Sequence, residues 1–315
     1  MDPTTISYHS PPPTVADPAR RKGRLPILTL LACAACVIVF IGINSERKPN
    51  SWEAFARWGV YDSERLRGGA YWGFITSVFV HLELWHLAFN VYWLYLFGSR
   101  LERAIGFGPW LAFFLGAAVV SSGAEFALTD STGIGASGVG YALFGFLWVT
   151  RNHFPAFKAV LNPQTVSLFI FWLIGCVVLT ALKVWQVGNA AHIAGLLYGA
   201  ACGAWVVFKP HRKLAAIGIS ALILAAVIPL FWAPWSFEWT SWQGVRAHKK
   251  GDYASAILWY ERSMKLGQDR SWGWQNIALA YYSAGDKAHG DDALKILRTF
   301  DEPAAREIEM EIKPK

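Results

Sequence analysis

The sequence predicts an all-α fold, in which a polytopic membrane helical bundle precedes a small helical domain. Of the 315 residues, 54% are hydrophobic and only 16% are charged, whereas a soluble domain normally carries about 25% charged residues. Seven apolar runs occupy the chain before residue 234, and the remaining segment is more polar. This composition and this division place the chain among membrane proteins.

The first element is a polar tail over residues 1–24, which lacks apolar periodicity, contains a proline triplet and ends in a basic cluster. This composition predicts a disordered cytoplasmic tail. The run that follows, residues 25–44, resembles a signal peptide because basic residues precede it. However, signal peptides have apolar regions of about 7–15 residues, whereas about 20 residues span a bilayer. We therefore expect an uncleaved membrane helix.

Six further apolar runs predict six further spans, at residues 78–98, 109–128, 137–150, 165–184, 189–208 and 213–233. Alternate loops carry the basic residues Arg20, Arg21, Lys22, Arg24, Arg100, Arg103, Arg151, Lys158, Lys209, Arg212 and Lys213. The positive-inside rule predicts a cytoplasmic N-terminus and a C-terminal domain outside. The net charge of +7 follows from this placement beside the lipid bilayer, so no nucleic-acid partner is expected.

The four cysteines, Cys33, Cys36, Cys176 and Cys202, all lie in apolar runs. Cysteines in such positions are typical of small hydrophobic residues rather than of a disulfide framework.

Four polar residues inside the predicted spans stand out, because polar groups in a bilayer are costly and often functional. Counted from the first basic residue at each inner end, His86 and Ser137 lie about 21 Å up, Asn90 about 15 Å and His192 about 26 Å. The hydrocarbon core is about 30 Å thick. The four residues therefore share one layer in its outer half.

Ser137 begins an apolar run of 14 residues inside the glycine-rich stretch GIGASGVGYALFG. That run is too short to cross a bilayer, so its start is expected to open into a protein-lined cavity. Free N–H groups and the helix dipole at such a start stabilise a developing anion. A serine needs a base to become a nucleophile, and His192 is the candidate at a compatible depth.

Span 6 carries a four-residue ladder of small residues, Ala191, Gly195, Gly199 and Gly203. Such a ladder lets two helices pack closely, which would bring His192 against span 4. On span 2, His86 and Asn90 stand four residues apart on one helix face. Both side chains can donate hydrogen bonds to an oxyanion.

These polar residues also have two simpler interpretations, packing and metal binding. A membrane serine or histidine is often only a packing residue, but four such residues in one layer favour a functional site. The histidines of HLELWH, His81 and His86, are five residues apart and so about 140° apart on a helix. This is not the HExxH spacing that holds zinc, and no metal site or cofactor is predicted.

At this point the pattern resembles the rhomboid family of intramembrane serine proteases over roughly residues 25–208. The matching motifs, in order on spans 2, 4 and 6, are HxxxN (His86, Asn90), GxSG (Gly135, Ala136, Ser137, Gly138) and AHxxGxxxG (Ala191, His192, Gly195, Gly199). Each motif alone is weak, but together they are specific.

Secondary features extend the resemblance. His81 precedes His86 by five residues, Glu102 and Gly106 follow span 2, and Asn189 precedes the span 6 motif. Tyr141 stands where the family has an aromatic residue that packs on the catalytic histidine. One departure is Trp72-Gly73 in the first outer loop, where the family often has Trp-Arg.

The resemblance implies that Ser137 is the nucleophile and His192 the general base of a dyad, with His86, Asn90 and the Ser137 N–H as the oxyanion hole. It also implies that the substrates are single-span membrane proteins, cut near the outer face. The alternative is a catalytically silent rhomboid-like protein that binds or escorts membrane clients. A transporter is disfavoured because the sequence lacks an inverted repeat of broken helices.

The resulting domain prediction places a six-span protease core at 25–208, a basic turn and seventh span at 209–236, and a repeat-like segment at 237–315. In that last segment, Gly251-Asp252 and Gly285-Asp286 are 34 residues apart, as are Gly244 and Ala278. This is the tetratricopeptide period, and such a module would bind a protein partner. An ordinary helical hairpin is the alternative. The ending EIEMEIKPK is expected to be frayed.

Overall fold

The computed structural model describes residues 25–312, and this part of the chain is helical and contains no strand. The predicted all-α class is thus confirmed. The predicted disordered tail, residues 1–24, lies outside the described residues. Backbone contacts divide the chain into two units. The membrane unit comprises Gly69–Leu230 and the described part of Met1–Asp62, and the C-terminal unit comprises Ser63–Gly68 and Phe231–Lys315 as far as residue 312.

In chain order the helices are α1 (Ile27–Asn44), α2 (Trp52–Arg57), α3 (Ser63–Arg67), α4 (Gly73–Thr76), α5 (Leu84–Ile105), α6 (Phe107–Thr129), α7 (Ser137–Thr150), α8 (Pro155–Lys158), α9 (Pro163–Ala181), α10 (Asn189–Val207), α11 (Arg212–Phe231), α12 (Phe237–Lys249), α13 (Tyr253–Lys265), α14 (Arg270–Ser283), α15 (Lys287–Arg298) and α16 (Glu302–Ile312).

Five helical segments among the described residues are long and apolar enough to cross a membrane: α1, α6, α9, α10 and Lys209–Phe231, which contains α11. A sixth candidate is the pair Gly73–Phe79 and Leu84–Ile105, which is bent by 105°. The predicted short span 137–150 is α7, with 14 residues. These apolar helices support a multi-pass integral membrane protein.

The predicted helix over 78–98 is wrong at its start. Residues 80–83 are not helical, and α5 begins only at Leu84. The helical angle between His81 and His86 therefore does not apply. The physical reason is tertiary: the His81 ring is held by the carbonyl of Phe79 and the N–H of Ala136, at 3.1 and 3.3 Å. This contact keeps His81 out of the helix.

A buried carboxylate joins α5 to the start of α1. Glu102 accepts hydrogen bonds from the N–H of Leu28 at 3.0 Å and from the N–H and hydroxyl of Thr29 at 2.8 and 2.7 Å. The first N–H groups of a helix have no partner within it, and a negative charge there is favourable. Glu102 thus caps α1 from a neighbouring helix.

The small-residue ladder of α10 faces α7, as predicted from the sequence. A Cβ added at Gly195 would lie 2.1 Å from the carbonyl oxygen of Gly138, and one at Gly199 would lie 1.8 Å from that of Ala142. Real Cβ atoms do not approach so closely, so these positions require glycine. The two helices therefore pack backbone against backbone, and this packing sets the distance between the residues at their starts.

The C-terminal unit contains two helix pairs, α12–α13 and α14–α15, followed by α16. Its core contains the buried side chains Ala256, Tyr260, Ile277, Ala278, Ala280, Ala293, Leu294, Leu297, Ala304, Ala305 and Ile308. The short helix α3 packs against α12.

The C-terminal end, which was expected to be frayed, is helical to Ile312, because Ile308 is buried in the core of this unit. Residues 313–315 lie outside the described part.

The 34-residue spacing coincides with matching local structure. Gly251 and Gly285 have φ of +79° and +80°. Each is followed by an aspartate whose side chain caps the next helix, Asp252 at the N–H of Ser255 and Asp286 at the N–H of His289. The two helix pairs thus begin their second helices in the same way. The tetratricopeptide assignment stays a prediction.

Candidate active site

Ser137 is the first residue of α7, and a glycine loop leads into it. Gly133 and Gly135 have φ of +66° and +102°, in the left-handed region that favours glycine. The helical hydrogen bonds start with the N–H of Gly140, which donates to Ala136. The N–H groups of residues 137–139 therefore precede the first bond of the helix. They form the positive end of its dipole.

The side chains of Ser137 and His192 meet across α7 and α10. The serine Oγ lies 2.8 Å from the histidine Nε2, a normal hydrogen-bond distance. In the tautomer that carries the ring proton on Nδ1, Nε2 accepts the hydrogen bond from the serine hydroxyl. This is the arrangement in which a histidine can remove a proton from a serine.

The imidazole of His192 is buried and is held by packing. The ring of Tyr141 lies beside it, with centroids 4.7 Å apart, and the tyrosine hydroxyl donates to the carbonyl of Phe169 at 3.0 Å. Among the described residues, Nδ1 of His192 has no hydrogen-bond partner. No carboxylate therefore orients this ring directly, and its orientation depends on Tyr141 and on the position of α10.

His81 and His86 hold the loop before Ser137. With the proton on Nδ1 donating to Phe79, Nε2 of His81 accepts from the N–H of Ala136, so one tautomer satisfies both contacts. The His81 and His86 rings are 5.0 Å apart. A Cβ at Gly135 would lie 2.6 Å from Cε1 of His86. Gly135 thus lets the loop backbone lie directly against His86.

Asn90 is buried on α5, one turn after His86. Its amide nitrogen donates to the carbonyl of His86 at 2.9 Å. An amide nitrogen carries two hydrogens, so one donor is used within the helix and the second is left for another acceptor. The residue is thus placed with His86, as the spacing of four predicted.

Gly138 and Asn189 position the two helices that carry Ser137 and His192. A Cβ at Gly138 would lie 2.5 Å from Cβ of Ser121 on α6, so α7 passes close to α6. Asn189 is the first residue of α10 and donates to the hydroxyl of Thr180 on α9 at 2.9 Å. Both contacts fix helix starts rather than reacting groups.

One cavity of about 470 Å³ brings most of the predicted site residues together. Its lining includes Ser137, His192, His86, Asn90, Tyr141, Gly135 and Gly138. His81 and Asn189 are not in the lining. Since the wall also includes Trp85, Phe89, Trp172 and Trp185, the cavity combines an apolar wall with a few polar groups, as ligand sites do.

Comparison with known proteins agrees with this geometry. Residues 68–210 match the Rhomboid domain. Rhomboid protease GlpG from Yersinia pseudotuberculosis serotype I is 28% identical over 186 residues, which cover 59% of this chain and 63% of that protein. Rhomboid protease GlpG from Serratia proteamaculans is 28% identical over 180 residues, or 56% of this chain and 62% of that protein. The chain thus spans less than two thirds of the length of these curated relatives.

The range that matches the Rhomboid domain contains every residue of the predicted site, from His81 to His192. Helices α1–α3 and α11–α16 lie outside the matched range. The Trp72-Gly73 pair, where the sequence departs from the family pattern, lies at the start of α4. The matches support the rhomboid family for this part of the chain.

One polar residue of the matched range, Glu125, is not among the residues predicted for the site. Glu125 lies on α6, is only 8% exposed and lines the same cavity. Its carboxylate accepts a hydrogen bond from the N–H of Ala191 at 3.2 Å. The rule on polar groups in membrane spans would have identified it, because it is an acidic side chain within an apolar run.

Proposed function

We propose that this protein is an intramembrane serine endopeptidase that cleaves single-span membrane proteins through a dyad of Ser137 and His192. The observation that carries the proposal is the 2.8 Å approach of the serine Oγ to the histidine Nε2 in the wall of one cavity. The Rhomboid domain and the named rhomboid protease relatives support the same chemistry.

The reaction starts with transfer of the Ser137 hydroxyl proton to Nε2 of His192. The oxygen attacks the carbonyl carbon of the scissile peptide bond, and a tetrahedral oxyanion forms. The imidazolium then returns its proton to the leaving amine as the C–N bond breaks, and an ester to Ser137 remains. Water, deprotonated by His192, hydrolyses this ester and restores the free serine.

The oxyanion needs donors that are in place before the negative charge develops. The N–H of Ser137 lies at the start of α7, where the helix dipole favours negative charge. We assign the remaining donors to the His86 ring and to the second amide hydrogen of Asn90. The placement of both side chains in the lining of the cavity supports this assignment.

The dyad works without an acidic third member. A buried imidazole normally needs a group that fixes its orientation. Here Tyr141 packs on the His192 ring, and its own hydroxyl is anchored to the carbonyl of Phe169. This packing replaces the directional contact that a carboxylate provides in a triad.

The class of substrate follows from the helices that form the cavity. It is formed by apolar helices, so a membrane-embedded segment is the polypeptide that reaches it. A helical substrate hides its carbonyls in its own hydrogen bonds and must unwind before attack, which favours cleavage beside small or helix-breaking residues. The positive-inside rule puts this layer near the outer face, with a cytoplasmic N-terminus and the C-terminal unit outside.

For the rest of the chain, the proposed organisation is a six-span core over 25–208, a seventh span within 209–236 and a repeat-like module over 237–315. The matching caps at Asp252 and Asp286 favour a tetratricopeptide-like pair of repeats. Repeat modules of this kind bind protein segments, so the module is proposed to bind a protein partner or to recruit substrate.

Proteolysis of a model single-span substrate in liposomes tests the proposal. We expect the wild type to produce two fragments, whose ends are read by mass spectrometry, and Ser137→Ala to produce none. Equal behaviour of the two proteins would remove the protease assignment in favour of a silent protein that binds membrane clients.

A further inference from the structure

Glu125 is an acidic side chain buried inside the membrane unit. It lies on α6, 8% exposed, in a helix long and apolar enough to cross a bilayer. A carboxylate in such a position is costly unless it is paired, and it commonly marks a functional site. The reaction described above makes no use of it.

The carboxylate of Glu125 is hydrogen-bonded to α10, the helix that carries His192. Its Oε2 accepts from the N–H of Ala191 at 3.2 Å, one residue before the histidine. Gly188 precedes α10, and no side chain of that position caps the helix. A helix start with unpaired N–H groups and a positive dipole end is stabilised by a carboxylate. Glu125 therefore supplies from α6 the cap that α10 lacks.

The same carboxylate lies between the two segments that lead to the dyad. A Cβ at Gly188 would be 3.4 Å from Oε2 of Glu125, and a Cβ at Gly133 would be 3.5 Å from its Cγ. Gly133 belongs to the loop that enters α7 at Ser137. The Glu125 side chain thus lies beside both segments. Gly133 is four residues before Ser137, and Gly188 is four residues before His192.

His192 depends on its helix more than a triad histidine does. Within the described part of the chain its Nδ1 has no hydrogen-bond partner. The direction of the ring is set by Tyr141 and by the backbone at residues 189–192. A shift of that backbone would move Nε2 away from Ser137, and small misplacements of a catalytic group cost large factors in rate.

We infer that Glu125 is a positioning residue, whose carboxylate caps α10 and so holds His192 against Ser137. The inference rests on the proposed Ser137–His192 chemistry. Glu125 does not touch the reacting atoms, and its effect is transmitted through the N–H of Ala191. The expected consequence of its loss is a freer start of α10 and a slower reaction at Ser137.

The test measures two quantities on the full-length protein in detergent. The first is hydrogen exchange of the amides of residues 189–193, by mass spectrometry. The second is the rate at which a fluorophosphonate probe labels Ser137, corrected for the folded fraction. For Glu125→Leu we expect exchange about tenfold faster and labelling about tenfold slower, the size expected for a lost helix cap. Glu125→Gln keeps an acceptor and should stay within about threefold of wild type for both quantities.

Glu102→Leu is the matched control, because it removes a carboxylate that caps α1 instead of α10. It should lower the melting temperature but leave exchange at 189–193 and the labelling rate of folded protein within about twofold of wild type. Glu125→Ala is measured beside the leucine variant, so that a folding failure of one leaves the other to be read.

Two results overturn the inference. In one, Glu125→Leu and Glu125→Ala exchange and label like wild type, which leaves Glu125 as a packing residue. In the other, the Glu102 and Glu125 variants slow labelling equally, which reduces the effect to general destabilisation. A wild type that the probe does not label contradicts the proposed function instead. In that case the comparison of hydrogen exchange at residues 189–193 between wild type and Glu125→Leu still decides whether Glu125 caps α10.

Discussion

The hydroxyl of Ser137 lies 2.8 Å from Nε2 of His192, although 55 positions separate the two residues in the chain. They meet because α7 and α10 pack with their backbones in contact below this pair, at Gly195 against Gly138 and at Gly199 against Ala142. The proposed reactivity of Ser137 therefore depends on small residues that take no part in the chemistry themselves.

Removal of the base should silence the serine. We expect His192→Ala and Ser137→Ala each to reduce fluorophosphonate labelling and substrate cleavage by at least about 10³-fold, since neither member of such a pair works alone. In-gel fluorescence and fragment mass spectrometry measure the two losses. Ser220→Ala, an exposed serine of α11, should keep wild-type labelling. If His192→Ala is labelled like wild type, the histidine is not the base.

A methyl group between α7 and α10 should separate them. The Cβ of Gly199→Ala would lie 1.8 Å from a backbone oxygen, so the helices must move apart, at a cost of about 1–3 kcal/mol. We expect a lower melting temperature and slower labelling of the folded protein. At Gly175 on α9 nothing lies within 4 Å of an added Cβ. Gly175→Ala should therefore be neutral or mildly stabilising, and equal effects at both positions would refute the packing argument.

Thr29 and Glu102 should act as one unit. Both side chains are buried, and loss of the hydrogen bond from the Thr29 hydroxyl to the Glu102 carboxylate should cost about 1–3 kcal/mol. We expect Thr29→Val and Glu102→Leu each to lower the melting temperature in detergent. The double variant should be less destabilised than the sum of the two singles. Additive losses would mean that the two groups do not interact.

The 34-residue spacing predicts that Gly244 and Ala278 hold equivalent packed positions. A Cβ at Gly244 would lie 2.5 Å from the Tyr260 ring, and Ala278 is fully buried. Gly244→Leu and Ala278→Leu should both open the C-terminal unit to trypsin. Ala254→Leu, at an exposed position of α13, should not. Unchanged labelling of Ser137 would show that the membrane unit stays folded, and equal resistance of all three variants would contradict the equivalence.

The aspartate caps should make the C-terminal unit sensitive to acid. Hydrogen bonds from Ser255 and His289 lower the pKa of Asp252 and Asp286 below the ordinary value of about 4. A lowered pKa in the folded state means that stability is present above the unfolded pKa and is lost as pH falls through the folded pKa. We therefore expect pepsin to cleave residues 252–300 more readily as pH falls from about 4 to 2.

The matched variant for this experiment is Asp252→Asn with Asp286→Asn, which keeps the cap acceptors but does not titrate. Digestion of both proteins in one tube removes the pH dependence of pepsin itself from the comparison. The double variant should show a flatter response between pH 4 and 2. Parallel curves for the two proteins would mean that the caps do not carry the acid sensitivity.

Much of the site could be predicted from the sequence because its chemistry is rare in an apolar chain. Ser137, His192, His86 and Asn90 stand out by polarity alone, and their counted depths place them in one layer. The ladder at Gly195 and Gly199 indicates which helix approaches Ser137. Helix lengths follow from the apolar runs, so the bounds of α1, α7 and α10 lie close to the predicted ones.

Other features depend on contacts between distant segments, which no local pattern encodes. Helix α5 begins only at Leu84 because the His81 ring binds the N–H of Ala136. The local sequence HLELWH gives no sign of that distant loop. Helix α16 continues to Ile312 because Ile308 is buried against the other helices of the C-terminal unit. A charged sequence at the end of a chain gives no sign of that burial.

The sequence by itself determined the class of the protein, the order of its helices and the residues proposed to be reactive, since hydropathy and rare polar side chains are local properties. Only the tertiary structure decided the 2.8 Å contact of the dyad and the cap that Glu125 places on α10. Hydrogen bonds act over about 3 Å, whereas sequence spacing locates a residue in a span only to within a turn of helix.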